Sequence, residues 1–70
     1  MRHAWKLEKR VEGIPVLVRY FDGYRKAKTI GETLASFKLT WKRQPGEPET
    51  WVAADSHLRT TWVVTLIEIE

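Results

Sequence analysis

The first third of the chain alternates apolar and polar residues. In "HAWKLEKRV", Trp5, Leu7 and Val11 fall on one side and charged residues on the other, broken only by Lys9. A period of two over this length predicts a half-buried β-strand. Glu12-Gly13 then offers a two-residue turn, and the β-branched and aromatic "IPVLVRYF" predicts a second strand.

Asp22-Gly23 follows, and this dipeptide is a strong hairpin signal. We therefore interpret "YRKAK" as a short third strand. With both turns two residues long, Leu7 is expected opposite Val18, Trp5 opposite Tyr20, and Val18 also opposite Ala27. The apolar residues then share one face, so the two turns support each other.

The segment after this predicted strand has helical features. Thr29 and Glu32 have capping-box spacing, and Pro45-Gly46 can stop a helix. These features predict a helix over about residues 30–43. A strand is the alternative, because apolar residues between 37 and 41 also alternate; caps at both ends favour the helix. Its apolar stripe, at about 3.6-residue spacing, consists of Ile30, Leu34, Phe37 and Trp41.

The remaining residues predict a closing hairpin, "TWVAAD" and "TTWVVTLIEIE". The last strand is apolar on both faces from Trp62 to Ile67, which indicates an interior position in the sheet. The expected order is β-β-β-α-β-β, an α+β fold with one helix on a mostly antiparallel sheet. A β-grasp arrangement, with the C-terminal strand beside the first, is compatible with it. The expected core comprises Trp5, Leu7, Val18, Tyr20, Ala27, Leu34 and Phe37.

Length and composition limit the classes of protein. Seventy residues predict a single domain, 1–70, whose small core must be dense; four tryptophans suit that need. The chain has no cysteine, which excludes disulfides and thiolate metal sites and favours the cytoplasm weakly. No apolar run reaches the roughly 20 residues of a membrane span, and none resembles a signal peptide, so no membrane association is expected.

Charge is distributed unevenly around a net value of +3. Residues 1–28 hold eight cationic side chains and three acidic ones, whereas residues 29–70 hold four cationic and six acidic ones. Such asymmetry suggests a basic surface with an anionic partner, although small domains also show such imbalance by chance.

Catalytic and metal-binding patterns are missing from the sequence. Asp55, Ser56 and His57 are the residue types of a hydrolase triad, but adjacent side chains cannot line up in a relay, and loop capping is the simpler explanation. His3 and His57, the two histidines, have no third ligand at metal-site spacing. We expect neither an enzyme nor a cofactor or metal.

The predicted register gives the sheet face opposite the core a row of cations. Lys6 would lie opposite Arg19, and Arg19 opposite Lys26, with Phe21 and Tyr24 beside them. Like charges placed opposite each other destabilise a sheet slightly unless an anion is bound. Phosphate would relieve the repulsion, and the aromatic rings could contact bases.

Two alternatives explain the same residues without nucleic acid. Lys26 and Lys28 could protect an edge strand from aggregation. The closing hairpin or a second subunit could instead cover the face, whose aromatic residues would then mark a protein interface.

The segment "VLVRYFDGYRKAKT", followed by a helix that ends near Phe37, carries a resemblance across residues 17–37. It resembles small DNA-binding domains with a three-stranded sheet, such as the arm-type domain of phage integrases and, more distantly, the plant AP2 domain. The resemblance implies that the sheet face away from the helix enters the major groove. It also implies DNA contacts from Arg19, Arg25, Lys26 and Lys28.

The sequence therefore predicts a small nucleic-acid-binding domain that uses a basic, aromatic-bearing sheet face. The alternative is a protein-interaction module or small inhibitor, of the kind encoded by phages and mobile elements. Such a module would use the same face, with Phe21 and Tyr24 as anchors. The predicted site comprises Lys6, Arg19, Phe21, Tyr24, Arg25, Lys26 and Lys28.

Overall fold

A computed structural model describes residues 2–36, 38–55 and 59–69. The predicted fold class is confirmed, because one helix packs on a single antiparallel sheet. The elements are β1 (Arg2–Val11), β2 (Ile14–Phe21), α1 (Tyr24–Ala35), β3 (Lys42–Gln44), β4 (Thr50–Asp55) and β5 (Thr60–Ile69).

The sheet has the strand order β2-β1-β5-β4-β3, so β2 and β3 form its two edges. The C-terminal strand pairs beside the first, as expected, and the pairing is antiparallel. β5 lies in the middle of the sheet, where Trp62, Val63 and Val64 are all buried, and this explains why the strand is apolar on both faces. The closing hairpin is also confirmed, since β4 pairs with β5.

The predicted third strand is wrong, because residues 24–28 form the first part of α1. Gly23 is the N-cap of this helix, and its extended backbone (φ −145°, ψ 147°) is not that of a hairpin turn with positive φ. The segment "YRKAK" alternates over only five residues, whereas arginine, lysine and alanine are good helix formers. The element order is therefore β-β-α-β-β-β.

The predicted helix bounds of about 30–43 are wrong at both ends. α1 ends at Ala35, and Ser36 adopts a left-handed conformation (φ 66°) that closes it. The proposed capping residues lie inside the helix: the Thr29 carbonyl accepts a hydrogen bond from the Thr33 hydroxyl. Glu32 instead accepts one from the backbone N–H of Leu39, in the segment that leads to β3.

The turn between β1 and β2 is confirmed at Glu12-Gly13. Both residues have positive φ (52° and 82°), as a tight two-residue hairpin requires, and Val11 lies opposite Ile14. Further along β2, the pairing register with β1 shifts by one residue at a β-bulge. Val16 therefore has no residue opposite it on β1.

The bulge reverses the two faces of the following residues of β2. Leu7 lies opposite Arg19 instead of Val18, and Trp5 lies opposite Phe21 instead of Tyr20. We call the sheet face against α1 the helix side; it carries Trp5, Leu7, Arg19 and Phe21. We call the other face the open face; it carries Lys6, Glu8, Val18, Tyr20 and Val63.

The core lies between α1 and the helix side of the sheet. It contains Leu7, Ala27, Leu39, Ala53, Trp62 and Val64. The helix approaches closely because its inward residues are small: a Cβ at Gly31 would lie 3.2 Å from Leu7 Cδ1 and 3.4 Å from a ring carbon of Trp41.

Leu7 and Ala27 are buried as expected, and Trp5 packs against the core. Val18 and Tyr20 are not core residues, since the bulge turns them to the open face and leaves Tyr20 59% exposed. Leu34 is also misassigned, at 47% exposed, because the helix begins earlier and presents Ala27 and Gly31 to the sheet. The other expected core residue, Phe37, lies outside the described residues.

Candidate nucleic-acid interface

The seven predicted site residues are divided between two sides of the molecule. Lys6 lies on the open face of β1. The other six lie on the helix side of β2 or on α1 itself: Arg19, Phe21, Tyr24, Arg25, Lys26 and Lys28.

The predicted row of three cations does not form. Lys6 lies opposite Tyr20, and Arg19 lies opposite Leu7 on the other face, because the bulge shifts the register by one residue. Lys26 belongs to α1 and so has no place in the sheet. Protection of an edge strand by Lys26 and Lys28 is excluded for the same reason.

On the open face, Lys6 already has a carboxylate partner within β1, which it shares with Arg10. Its Nζ lies 3.4 Å from the carboxylate of Glu8, and the Arg10 guanidinium donates a hydrogen bond to the same carboxylate. Glu8 is buried although it lies on this face. The hydrogen bond from Arg10 lowers the pKa of Glu8 against the opposing effect of burial, with further help from the charges of Arg10 and Lys6.

The cations of residues 19–28 differ from Lys6 in having no carboxylate partner among the described residues. The described residues form four ion pairs, and these join Lys6 and Arg10 to Glu8, Arg43 to Glu49, and Arg59 to Glu12. None includes a cation from residues 19–28. We call this second group, Arg19, Arg25, Lys26 and Lys28, the helix-side cations.

Three of the helix-side cations lie at the N-terminal end of α1. Arg25 and Lys26 are exposed in its first turn, and Lys28 follows within the next. This end carries the positive pole of the helix dipole, yet the first turn has no acidic residue and Gly23 provides no side-chain cap. Arg25 and Lys26, in the first turn, are each unfavourable by about 0.3–1 kcal/mol until an anion approaches.

Arg19 lies on the strand that leads into this helix. Its side chain is exposed on the helix side, and its Nη1 donates a hydrogen bond to the carbonyl oxygen of Val18 at 2.9 Å. That contact leaves the other N–H groups of the guanidinium available, since Arg has five donors.

The aromatic residues of the predicted site pack within the protein. Tyr24 lies between Trp5, at a ring distance of 5.5 Å, and Trp51, which stacks on it at 6.1 Å with an 11° tilt. Lys28 Nζ lies 5.3 Å from the centre of the Tyr24 ring and 4.8 Å from that of Trp51. Phe21 packs against the core. These rings hold the start of α1 and Lys28 in place.

Sequence reasoning named Lys28 and Tyr24 but missed their neighbour Trp51. Trp51 lies on β4, far along the chain, and reaches Tyr24 only after the sheet assembles. Its indole N–H donates a 3.0 Å hydrogen bond to Glu49, whose carboxylate also lies 3.9 Å from Arg43. A tryptophan in a half-buried strand carries no local signal for such a contact.

The closing hairpin does not cover the open face. β4 and β5 extend the sheet sideways in its own plane, through pairing with each other and with β1. The exposed ring of Tyr20 therefore remains on an uncovered part of this face.

Residues 2–36, 38–55 and 59–69 contain no group of three or more side chains that could hold a metal ion. Ser56 and His57, considered for a triad, lie outside the described residues. Within the described part of the chain, no helix has the length and apolar character needed to span a membrane. Neither a family model, a curated protein nor a solved structure matches the chain.

Proposed function

We propose that this protein is a small nucleic-acid-binding domain that contacts phosphate groups through the helix-side cations. The observation that carries the proposal is a cluster of four cations within residues 19–28, none of which has a carboxylate partner among the described residues: Arg19, Arg25, Lys26 and Lys28. Two of them, Arg25 and Lys26, also lie in the first turn of α1, where the helix dipole makes positive charge unfavourable.

An arrangement that destabilises the free protein is consistent with an anionic partner. A phosphate near the start of α1 interacts favourably with free backbone N–H groups, the dipole and the side-chain cations together. Nucleic acid presents phosphates at regular spacing, so several cations on one side can each meet one. Such contacts position a protein on the polymer and do not by themselves read its sequence.

The proposal differs from the expectation drawn from the sheet face. The proposed contact surface is the helix side, and Lys6 takes no part because it lies on the opposite face, where it is paired with Glu8. Phe21 and Tyr24 support the surface from within and do not stack on bases. A nucleic-acid partner also agrees with the cytoplasmic location expected from the absence of cysteine.

A protein partner anchored by Phe21 and Tyr24 receives less support. Anchor residues bind by filling a pocket in the partner, and for this they must project from the surface. Phe21 packs against the core and Tyr24 is held between two tryptophans, so neither ring is presented in that way.

Fluorescence-anisotropy titrations of labelled duplex and single-stranded oligonucleotides, between about 50 and 200 mM salt, test the proposal. We expect dissociation constants below about 100 μM at the lowest salt. Lys26→Ala should weaken binding about three- to tenfold and reduce the slope of log affinity against log salt by about 0.7–0.9, because one phosphate contact is lost.

Lys42→Ala is the matched control. Lys42 is an exposed lysine on β3, on the open face, with no ion pair in the described part of the chain, so its removal changes the net charge equally. Its salt slope should stay close to that of the wild type. Equal losses in the two variants, or wild-type binding weaker than about 100 μM, would overturn the proposal.

A further inference from the structure

The aromatic side chains among the helix-side cations have partners within the protein. Tyr24 lies between Trp5 and Trp51, with ring distances of 5.5 and 6.1 Å. Phe21 packs against the core. None of these four rings is more than partly exposed. Because the rings pack on one another and on the core, they offer little free face to a ligand.

Lys28 covers two rings of this group. Its Nζ lies 5.3 Å from the centre of the Tyr24 ring and 4.8 Å from that of Trp51, within the distance at which a ring face attracts an ammonium group. The indole N–H of Trp51 also has a partner, since it donates a hydrogen bond to Glu49. Lys28 therefore has two roles. It carries one of the helix-side charges, and its side chain occupies ring surface that a stacking base would need.

The most exposed aromatic ring lies on the opposite side of the sheet. Among the described residues, Tyr20 is the one aromatic side chain that is more than half exposed, at 59%. It lies opposite Lys6 on the open face, whereas α1 packs on the helix side. Proteins that bind single strands combine a cationic groove with exposed aromatic rings on which successive bases stack. The helix side has the charge without the exposed rings.

We infer that Lys28 makes the nucleic-acid site selective for a duplex, because its side chain keeps bases away from the Tyr24 and Trp51 rings. This selectivity rests on the proposed function and specifies the substrate class of the same surface. A duplex carries one negative charge per about 1.7 Å of its axis, about twice the density of one of its strands. A surface that binds by charge alone favours the denser partner, whereas a surface with free aromatic rings also gains from unpaired bases.

The feature recognised is the phosphate backbone of two paired strands, which duplex DNA and duplex RNA share. Contacts to phosphate position a protein and carry no direct sequence information, so the site should tolerate changes of base sequence. Separate measurements with a DNA duplex and an RNA duplex distinguish the two sources of this backbone.

Anisotropy titrations with one labelled strand of about 20 nucleotides, alone and annealed to its complement, test the selectivity at about 50 mM salt. At least one of the two duplexes should bind about fivefold or more tightly than its own single strand. Single strands that bind as tightly as both duplexes would overturn the inference and leave the proposed function standing. Failure of every oligonucleotide to bind would contradict the proposed function, and the inference with it.

Two substitutions of Lys28 separate its charge from its cover of the rings. Lys28→Ala and Lys28→Met remove the same charge, so both should weaken duplex binding about three- to tenfold. Methionine keeps most of the length of the side chain and packs well against aromatic rings, whereas alanine leaves Tyr24 and Trp51 uncovered. The ratio of duplex to single-strand affinity should fall about threefold or more in Lys28→Ala and stay within about twofold of the wild type in Lys28→Met.

Arg25→Ala is a further control, because it removes a neighbouring charge for which the described residues show no ring contact. Its affinity ratio should match that of Lys28→Met, and circular dichroism should show that every variant is folded. Equal ratios in Lys28→Ala and Lys28→Met would overturn the role of Lys28 in selectivity, even where the wild type prefers a duplex. The wild-type comparison needs no variant, so it decides the preference for a duplex on its own.

Discussion

Two groups of cations, one on each side of the sheet, hold their positive charge in different ways. On the open face, Lys6 and Arg10 flank the buried Glu8, and both cations are paired with its carboxylate. On the helix side, Arg25 and Lys26 stand in the first turn of α1 without a carboxylate partner among the described residues. Removing one partner of a paired group is costly because it leaves a charge without its counterion. Unpaired positive charge at a helix N-terminus instead opposes folding and is available to an external anion.

The largest expected effect concerns the packing that keeps the helix-side cations directed outwards. Leu7 is fully buried between sheet and helix, so Leu7→Ala should destabilise the protein by about 2–5 kcal/mol. Leu34 lies on the outer side of the helix, so Leu34→Ala should cost less than about 1 kcal/mol. Urea denaturation measures both. Similar losses would mean that the helix presents a different face to the sheet.

An intermediate effect is expected from removing the compensation on the open face. Glu8→Gln keeps the shape of the side chain but leaves two cations beside a buried neutral group. We expect a loss of about 1–2 kcal/mol, less than for a fully buried pair because Lys6 and Arg10 reach solvent. If Glu8→Gln is as stable as the wild type at pH 7, the ion pairs of Glu8 with Lys6 and Arg10 do not stabilise the protein.

The pH dependence of stability in the same variant tests the direction of the Glu8 pKa shift. The folded pKa of Glu8 is lowered, so its contribution is fully present above the unfolded value of about 4.3 and is lost as the pH falls through the folded value. The stability difference between wild type and Glu8→Gln should therefore shrink below about pH 4. A difference that stays constant down to pH 2 would contradict this assignment.

Much of the sheet could be predicted because its signals are local. Period-two alternation marks β1, positive φ at Glu12-Gly13 closes the first hairpin, and a strand apolar on both faces marks the centre at β5. Asp22-Gly23 led to the wrong prediction of a hairpin, because the same dipeptide can precede a helix. The segment "YRKAK" is too short to distinguish the two-residue period of a strand from the 3.6-residue period of a helix.

The bulge at Val16 could not be predicted, and it changed the site most. One extra residue moves Arg19 from one face of the sheet to the other, and nothing in the residue types shows where a strand gains it. The cations of residues 19–28 were identified from the predicted register and from the resemblance to small DNA-binding domains. Their grouping around α1, and the support from Trp51, depend on tertiary packing.

The smallest expected effect on stability gives the most direct test of the central claim. Lys26→Glu places an acid at the third helical position after Gly23, where the dipole favours it. The claim predicts a rise of about 0.5–1.5 kcal/mol, or several degrees in Tm, together with at least about a tenfold loss of oligonucleotide affinity at 50 mM salt. Lys42→Glu, the control on β3, should show neither change beyond about 0.5 kcal/mol and about twofold. Thermal melts and anisotropy titrations on the same samples measure both quantities. Lys26→Glu that binds as tightly as the wild type would contradict the claim that the helix-side cations are kept for a phosphate partner.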